Sequence, residues 1–190
     1  MSASRPVIAI TTGDPAGIGP EIGAKAIRDP RVVFACQPVI YGPNTDAERA
    51  PLPAGRASGA TRRAAYETIV KAVAAVRERR AAALVTAPIN KEALSAAGLE
   101  WKGHTDLLAH LCGVPEGVAM MFWSERLRVV LATVHIPLRD VPSALTEPRM
   151  LDTIRVTARS MPQFGIATPR IGVAGLNPHA GEHGLFGRED

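Results

Sequence analysis

Five histidines occur in the 190 residues. His135 closes the apolar run Leu127–Val134, and His179 lies in Gly175-Leu176-Asn177-Pro178-His179-Ala180-Gly181-Glu182, just after a second apolar stretch. Both histidines therefore follow strand-like segments. Two strand-end imidazoles can converge on one metal ion, because neutral imidazole is the commonest protein ligand. Two donors are too few for a closed site, so a third ligand is expected. His110 sits within a helical pattern beside Leu111 and reads as packed or solvated, and His183 follows His179 by four residues on a glycine loop with no role assigned. No CxxC or HExxH spacing is present.

Three further segments carry polar groups at chain turns. Gly103-His104-Thr105-Asp106 places a histidine beside a threonine. Thr105 can cap the following helix, and His104 either plays a structural part or hydrogen-bonds a phosphate or carboxylate. Thr12-Gly13-Asp14-Pro15-Ala16-Gly17-Ile18-Gly19-Pro20-Glu21 joins a strand to a helix. Its glycines let the backbone turn sharply or approach a ligand. It is neither a dinucleotide fingerprint nor a P-loop, and a plain tight turn is the simpler reading. Asp14 within it either caps the helix or binds a ligand. Thr86-Ala87-Pro88-Ile89-Asn90-Lys91 ends another strand, where α/β sheets place ligands. Lys91, one of four lysines, either holds an anionic substrate or is solvated at a helix start.

The elements that must position these groups alternate. Val7–Thr12, Val32–Tyr41, Ala82–Ala87 and Arg170–Gly175 read as strands, and Glu21–Asp29, Arg62–Arg80, Lys91–Ala97, Thr105–Leu111 and Leu151–Met161 as helices. Asn44–Thr61 reads as a loop. Two strands flank the short link Ser124–Arg126 and predict a hairpin or meander. The alternation predicts an α/β sheet covered on both faces, and the adjacent strands near Arg128 make it a mixed sheet. Two domains are expected: residues 1–103, and an incomplete second one over 104–190.

Composition bounds the function classes. Hydrophobic residues make up 46% of the chain, typical of a globular protein. The apolar runs are far shorter than the roughly 20 residues of a membrane helix, and no signal-peptide pattern opens the sequence. Cys36 and Cys112 have unlike surroundings and predict no disulfide framework, which fits a reducing cytoplasm. The formal charge is +4, but the arginines are dispersed and not interleaved with stacking aromatics, which argues against nucleic acid.

Taken together, ITTGDPAGIGPEI, VTAPINKEAL with AAG, KGHTDLLA, LRVVLATVHIPLRDV and PRIGVAGLNPHAGEHGLFGRED occur in one order along nearly the whole chain. In that order they resemble the 4-hydroxythreonine-4-phosphate dehydrogenase family of pyridoxal phosphate (vitamin B6) biosynthesis. The resemblance implies a mixed-sheet α/β/α architecture like that of the isocitrate and isopropylmalate dehydrogenases, with a site shared across a homodimer. It implies that His135 and His179 are two of three histidine ligands of a divalent ion (zinc, magnesium, manganese or cobalt), with the third beyond Asp190. His104 and Thr105 would bind a small phosphorylated hydroxy-acid substrate, with Lys91 and Asp14 as further candidates. No catalytic acid or base is assigned. The implied reaction is NAD-dependent oxidation of 4-phosphooxy-L-threonine and decarboxylation to 3-amino-2-oxopropyl phosphate. The NAD site would not be of the Rossmann kind, in keeping with the lack of GxGxxG. A sister activity on 4-phospho-D-erythronate or threonate, or a truncated non-catalytic remnant, are the alternatives. Two departures from the family pattern are a shorter segment between Tyr41 and Thr61 and the lack of everything after Asp190. Residues 1–190 alone are therefore expected to be inactive.

Overall fold

A computed structural model describes residues 4–43, 45–52, 54–56, 58–89, 103–115 and 117–189. They fall into two compact units, Met1–Pro115 and Glu116–Asp190.

The first unit is built on three parallel strands in the order β2-β1-β3: β1 is Val7–Thr11, β2 Gln37–Tyr41 and β3 Ala83–Thr86. β1 is central, pairing Ala9 with Val39 on one side and with Leu84 on the other. Between β1 and β2 run helices α1 (Gly19–Ala26) and α2 (Pro30–Ala35). The sequence pattern predicts strand from Val32, whereas the chain is helical there. Asp29 accepts a hydrogen bond from Arg31 N at 2.8 Å and Pro30 stands at the first helical position, and this capping outweighs the β-branched run.

After β2 come the short α3 (Asp46–Arg49) and the long α4 (Gly59–Arg77). α4 begins with a reciprocal cap: Thr61 N donates to Ser58 Oγ, and Ser58 N donates to Thr61 Oγ1. Its inner face carries Ala72 and Ala75, fully buried against Ala9 of β1. Alanine on both elements lets the helix lie close to the strand. Ile69 and Val73 of α4 enclose Leu107 of α5 (His104–Cys112), which is also fully buried. With that packing the first unit runs to Pro115. Gly113 ends α5 in the left-handed region at φ 72°. The expected helix Lys91–Ala97 lies outside the described residues.

The second unit holds an antiparallel pair, β4 (Met120–Trp123) and β5 (Arg128–Leu131). Ser124 closes the hairpin: its hydroxyl donates to Leu127 O and accepts from Leu127 N. The Arg128 guanidinium lies 4.3 Å over the Trp123 ring, which stacks on Phe164 at 5.0 Å. Two short turns of helix follow, Leu138–Asp140 and α6 (Val141–Ala144), then α7 (Glu147–Ser160) capped by Thr146. β5 ends at Leu131, three residues before the expected end at Val134. The carbonyl of Ala132 accepts from Arg149 Nε at 2.8 Å instead of joining a ladder. The expected strand Arg170–Gly175 pairs with no other strand among the described residues. The class is α/β, with the parallel and antiparallel pairings in separate sheets. No helix among the described residues is long and apolar enough to cross a membrane.

Candidate functional site

In a parallel sheet the carboxyl ends of the strands flanking the reversal of strand order are the usual ligand crevice. Here that place lies between β1 and β3, and the chain itself occupies it. Asp14 N donates to Pro88 O at 3.0 Å, and Ala87 N to Thr11 O at 3.0 Å. Gly13, at φ 66°, is so close that an added Cβ would stand 2.2 Å from Pro88 O, and one on Gly19 would stand 1.8 Å from Thr12 O. The glycines of this loop serve close packing of backbone on backbone. Asp14 is 8% exposed and accepts from Ala16 N at 2.9 Å, which closes a turn within the loop; it does not cap α1, whose N-cap is Ile18 with no side-chain hydrogen bond. The hydroxyls of Thr11 and Thr12 are buried without a partner among the described residues. Lys91 lies outside the described residues.

His104 opens α5 and is half-buried. Its Nε2 is enclosed and has no hydrogen-bond partner among the described residues. Burial holds the imidazole below its ordinary pKa, so it is neutral at pH 7. An enclosed, unpaired ring nitrogen is costly unless something pairs with it. Thr105 is the second helical residue, not the cap. Gly103 holds the cap position, and no side chain caps the helix. The Thr105 hydroxyl is thereby left at the positive end of the α5 dipole beside His104.

In the second unit, His135 is exposed, four residues beyond β5, and stands at φ 57°. Such a conformation is uncommon for a residue with a side chain. His179 lies in a closed loop. Asn177 accepts from His179 N through Oδ1 at 2.9 Å and donates through Nδ2 to Phe186 O and to Glu189 Oε1. The His179 ring leans on Phe186, centroids 5.1 Å apart. From Ala180 to Gly184 every residue has positive φ: 47°, 68°, 43°, 59° and 95°. Three of the five are not glycine, and each costs on the order of 1–2 kcal/mol in this region. Inside this strained turn, His179 Nδ1 meets Glu182 Oε1 at 2.8 Å. The histidine-to-carboxylate spacing of three was a signal in the sequence that a search for ligands alone passes over. His110 is exposed on α5.

His104 and Thr105 belong to the first unit, and His135 and His179 to the second. Among the described residues no group of three or more His, Cys, Asp or Glu side chains could hold a metal ion. His135 and His179 thus fit a divalent ion in donor type and fall short of it in number. Two open depressions, one lined by Glu21, Lys25, Arg28 and Arg49 and the other by Met121, Val130, Val156 and Phe164, include none of the four candidate residues.

The sequence profile of the family described as pyridoxal phosphate biosynthetic protein PdxA matches residues 24–190. A 4-hydroxythreonine-4-phosphate dehydrogenase of Desulforapulum autotrophicum is 38% identical over 228 aligned positions, which take in 100% of this chain and 67% of that protein. A D-threonate 4-phosphate dehydrogenase of Cupriavidus necator is also 38% identical, over 98% of this chain and 67% of its own length. The crystal structure of a 4-hydroxythreonine-4-phosphate dehydrogenase from Klebsiella pneumoniae superposes with a TM-score of 0.84 at 36% identity, covering 97% of this chain and 68% of that one. The chain therefore spans about two thirds of the length of these relatives.

Proposed function

This chain belongs to the PdxA family of pyridoxal phosphate biosynthetic proteins, and from that premise we propose that it forms part of an NAD- and divalent-metal-dependent dehydrogenase of a phosphorylated hydroxy acid. The relatives it matches are named dehydrogenases, so the reaction class is oxidation of an alcohol. The substrate proposed first is 4-phosphooxy-L-threonine, oxidised and decarboxylated to 3-amino-2-oxopropyl phosphate. The observation that carries the reading is the His104-Thr105 pair. An enclosed neutral imidazole with no partner among the described residues sits beside a hydroxyl at a helix start, and that pair suits an oxygen-rich substrate supplying a hydrogen bond.

The chain's own residues divide the work. His104, kept neutral by burial, can donate one hydrogen bond or accept one without repelling a cation, and Thr105 adds a second hydroxyl contact at the positive helix end. His135 and His179 would hold the divalent ion through neutral imidazoles. That ion would supply Lewis acidity at the substrate hydroxyl, and a nicotinamide cofactor would supply the hydride acceptor. Asp14, with its carboxylate turned onto Ala16 N, would act on the site only through the loop it shapes. The protein is further proposed to work as a cytoplasmic homodimer, on the family resemblance alone.

A second substrate reading rests on the Cupriavidus relative, named a D-threonate 4-phosphate dehydrogenase and as similar as the first. NADH absorbance, followed with each substrate in a version extended to the relatives' length, separates them. Faster turnover of 4-phosphooxy-threonine supports the first, faster turnover of D-threonate 4-phosphate the second. NADH formation from neither, with divalent metal added, overturns both.

A further inference from the structure

The turn that follows His179 is bent further than chain reversal requires. Five consecutive residues with positive φ, three of them not glycine, bring the side chain at 182 back onto the ring at 179. Gly181 sits at the crossing of this turn, where an added Cβ would stand 2.7 Å from Gly187 O. Strain of this kind persists only where the surroundings hold it, and it gathers at functional positions. Hydrogen bonds around the turn hold it: Ala180 N donates to Asn177 O, Phe186 N to Gly181 O, and Asn177 ties residue 179 to residue 186. What the strain achieves is one contact, His179 Nδ1 to Glu182 Oε1 at 2.8 Å.

We propose that Glu182 is a positioning residue that commits the proton of His179 to Nδ1 and so makes Nε2 the nitrogen that binds metal. The inference rests on the reading of His179 as a metal ligand and deepens it. An ionised carboxylate can only accept a hydrogen bond, so a ring nitrogen 2.8 Å from it must carry the hydrogen. The lone pair is then confined to Nε2. Imidazole ligands in metal sites are commonly oriented in this way by a carboxylate, and loss of the carboxylate weakens binding 10- to 100-fold. The geometry also fixes the ring's rotation, since Phe186 backs it at 5.1 Å on another side.

The test uses a version extended to the relatives' length, free of metal and then titrated with zinc, and reads the imidazole nitrogens of His179 by nitrogen-15 NMR. In the metal-free protein the ring is expected in the Nδ1–H form. Glu182→Ala should release it toward the Nε2–H form and raise the zinc dissociation constant read at His179 by about 10- to 100-fold. Glu182→Gln keeps the size and polarity of the side chain, which guards against a turn that Glu182→Ala simply unravels, but its amide can donate as well as accept and should weaken the preference for Nδ1–H. An Nε2–H ring in the parent chain overturns the proposal, as does an undiminished Nδ1–H preference in both Glu182→Ala and Glu182→Gln. Equal zinc affinity in the parent and Glu182→Ala, with His179 still shifting, overturns the proposal and leaves the metal reading standing. If zinc leaves the His179 nitrogens unmoved in the parent, the metal reading fails and the proposal with it.

Discussion

At the scale of single residues, His104 combines an enclosed Nε2, without a partner among the described residues, with a pKa lowered by burial. The sign of its effect on stability follows from linkage. Between the depressed folded value and the unfolded value near 6.5, the unfolded chain binds more protons than the folded one, so stability rises with pH across that window. The contribution is complete above about pH 6.5 and is lost as pH falls through the folded pKa. Urea midpoints at several pH values check this: His104→Asn should flatten the acid-side slope relative to the parent, and an unchanged slope would sink the assignment. For the metal, His135→Ala or His179→Ala in a version of family length should abolish metal-dependent NADH formation, because losing one imidazole opens the coordination shell. Activity near the parent's with either substitution would remove that residue from the site. His110→Ala, on an exposed position of α5, should leave the kinetics nearly unchanged.

At the scale of elements, the two βα junctions of the first unit differ in what holds them. α4 depends on its start, where Ser58 and Thr61 satisfy two backbone N–H groups reciprocally. Ser58→Ala should lower stability by about 1 kcal/mol, read as a shift in urea midpoint at constant slope. α1 has no side-chain cap and depends on contact. A methyl at Gly19 would collide with the Thr12 carbonyl at 1.8 Å, whereas one at Gly23 meets only Ile40 Cδ1 at 3.4 Å. Helix propensity alone favours alanine at both by up to about 1 kcal/mol. Sterics should reverse the order at one of them: Gly19→Ala is expected to cost about 3 kcal/mol or prevent accumulation of folded protein, and Gly23→Ala to be near neutral. Comparable melting temperatures for the two variants would contradict the packing reading of the glycine loop.

At the scale of the whole molecule, the proposed donors do not add up to a site within residues 1–190. Two histidines leave an ion mostly water-bound, loosely held and poorly aimed. Several large apolar side chains of the second unit are also open to solvent, Phe122, Leu127, Leu138 and Leu185 among them, and such surface favours association. The 190-residue chain is therefore expected to reduce no NAD with 4-phosphooxy-threonine and divalent metal. NADH formation that disappears with a chelator and with His135→Ala would refute this and would require another donor within the chain, His183 being the nearest candidate.

Legible in the sequence is whatever depends on near neighbours along the chain. β-branched runs placed β1 and β3, three- and four-residue apolar spacing placed α4 and α7, and the order of short motifs identified the family. Local capping is legible too, although at Asp29-Pro30 the β-branched residues that follow mask a helix start. Tertiary structure alone decided which polar groups are enclosed and what faces them. The glycines of residues 13–19 look alike in sequence whether they cradle a ligand or the chain, and only the position of Ala87 and Pro88, some seventy residues on, settles that their neighbour is backbone. The enclosure of His104 Nε2 likewise depends on α5 packing under α4 through Leu107, Ile69 and Val73. Hydrogen-bond satisfaction and burial are properties of atoms brought together from distant parts of the chain, and no local period records them.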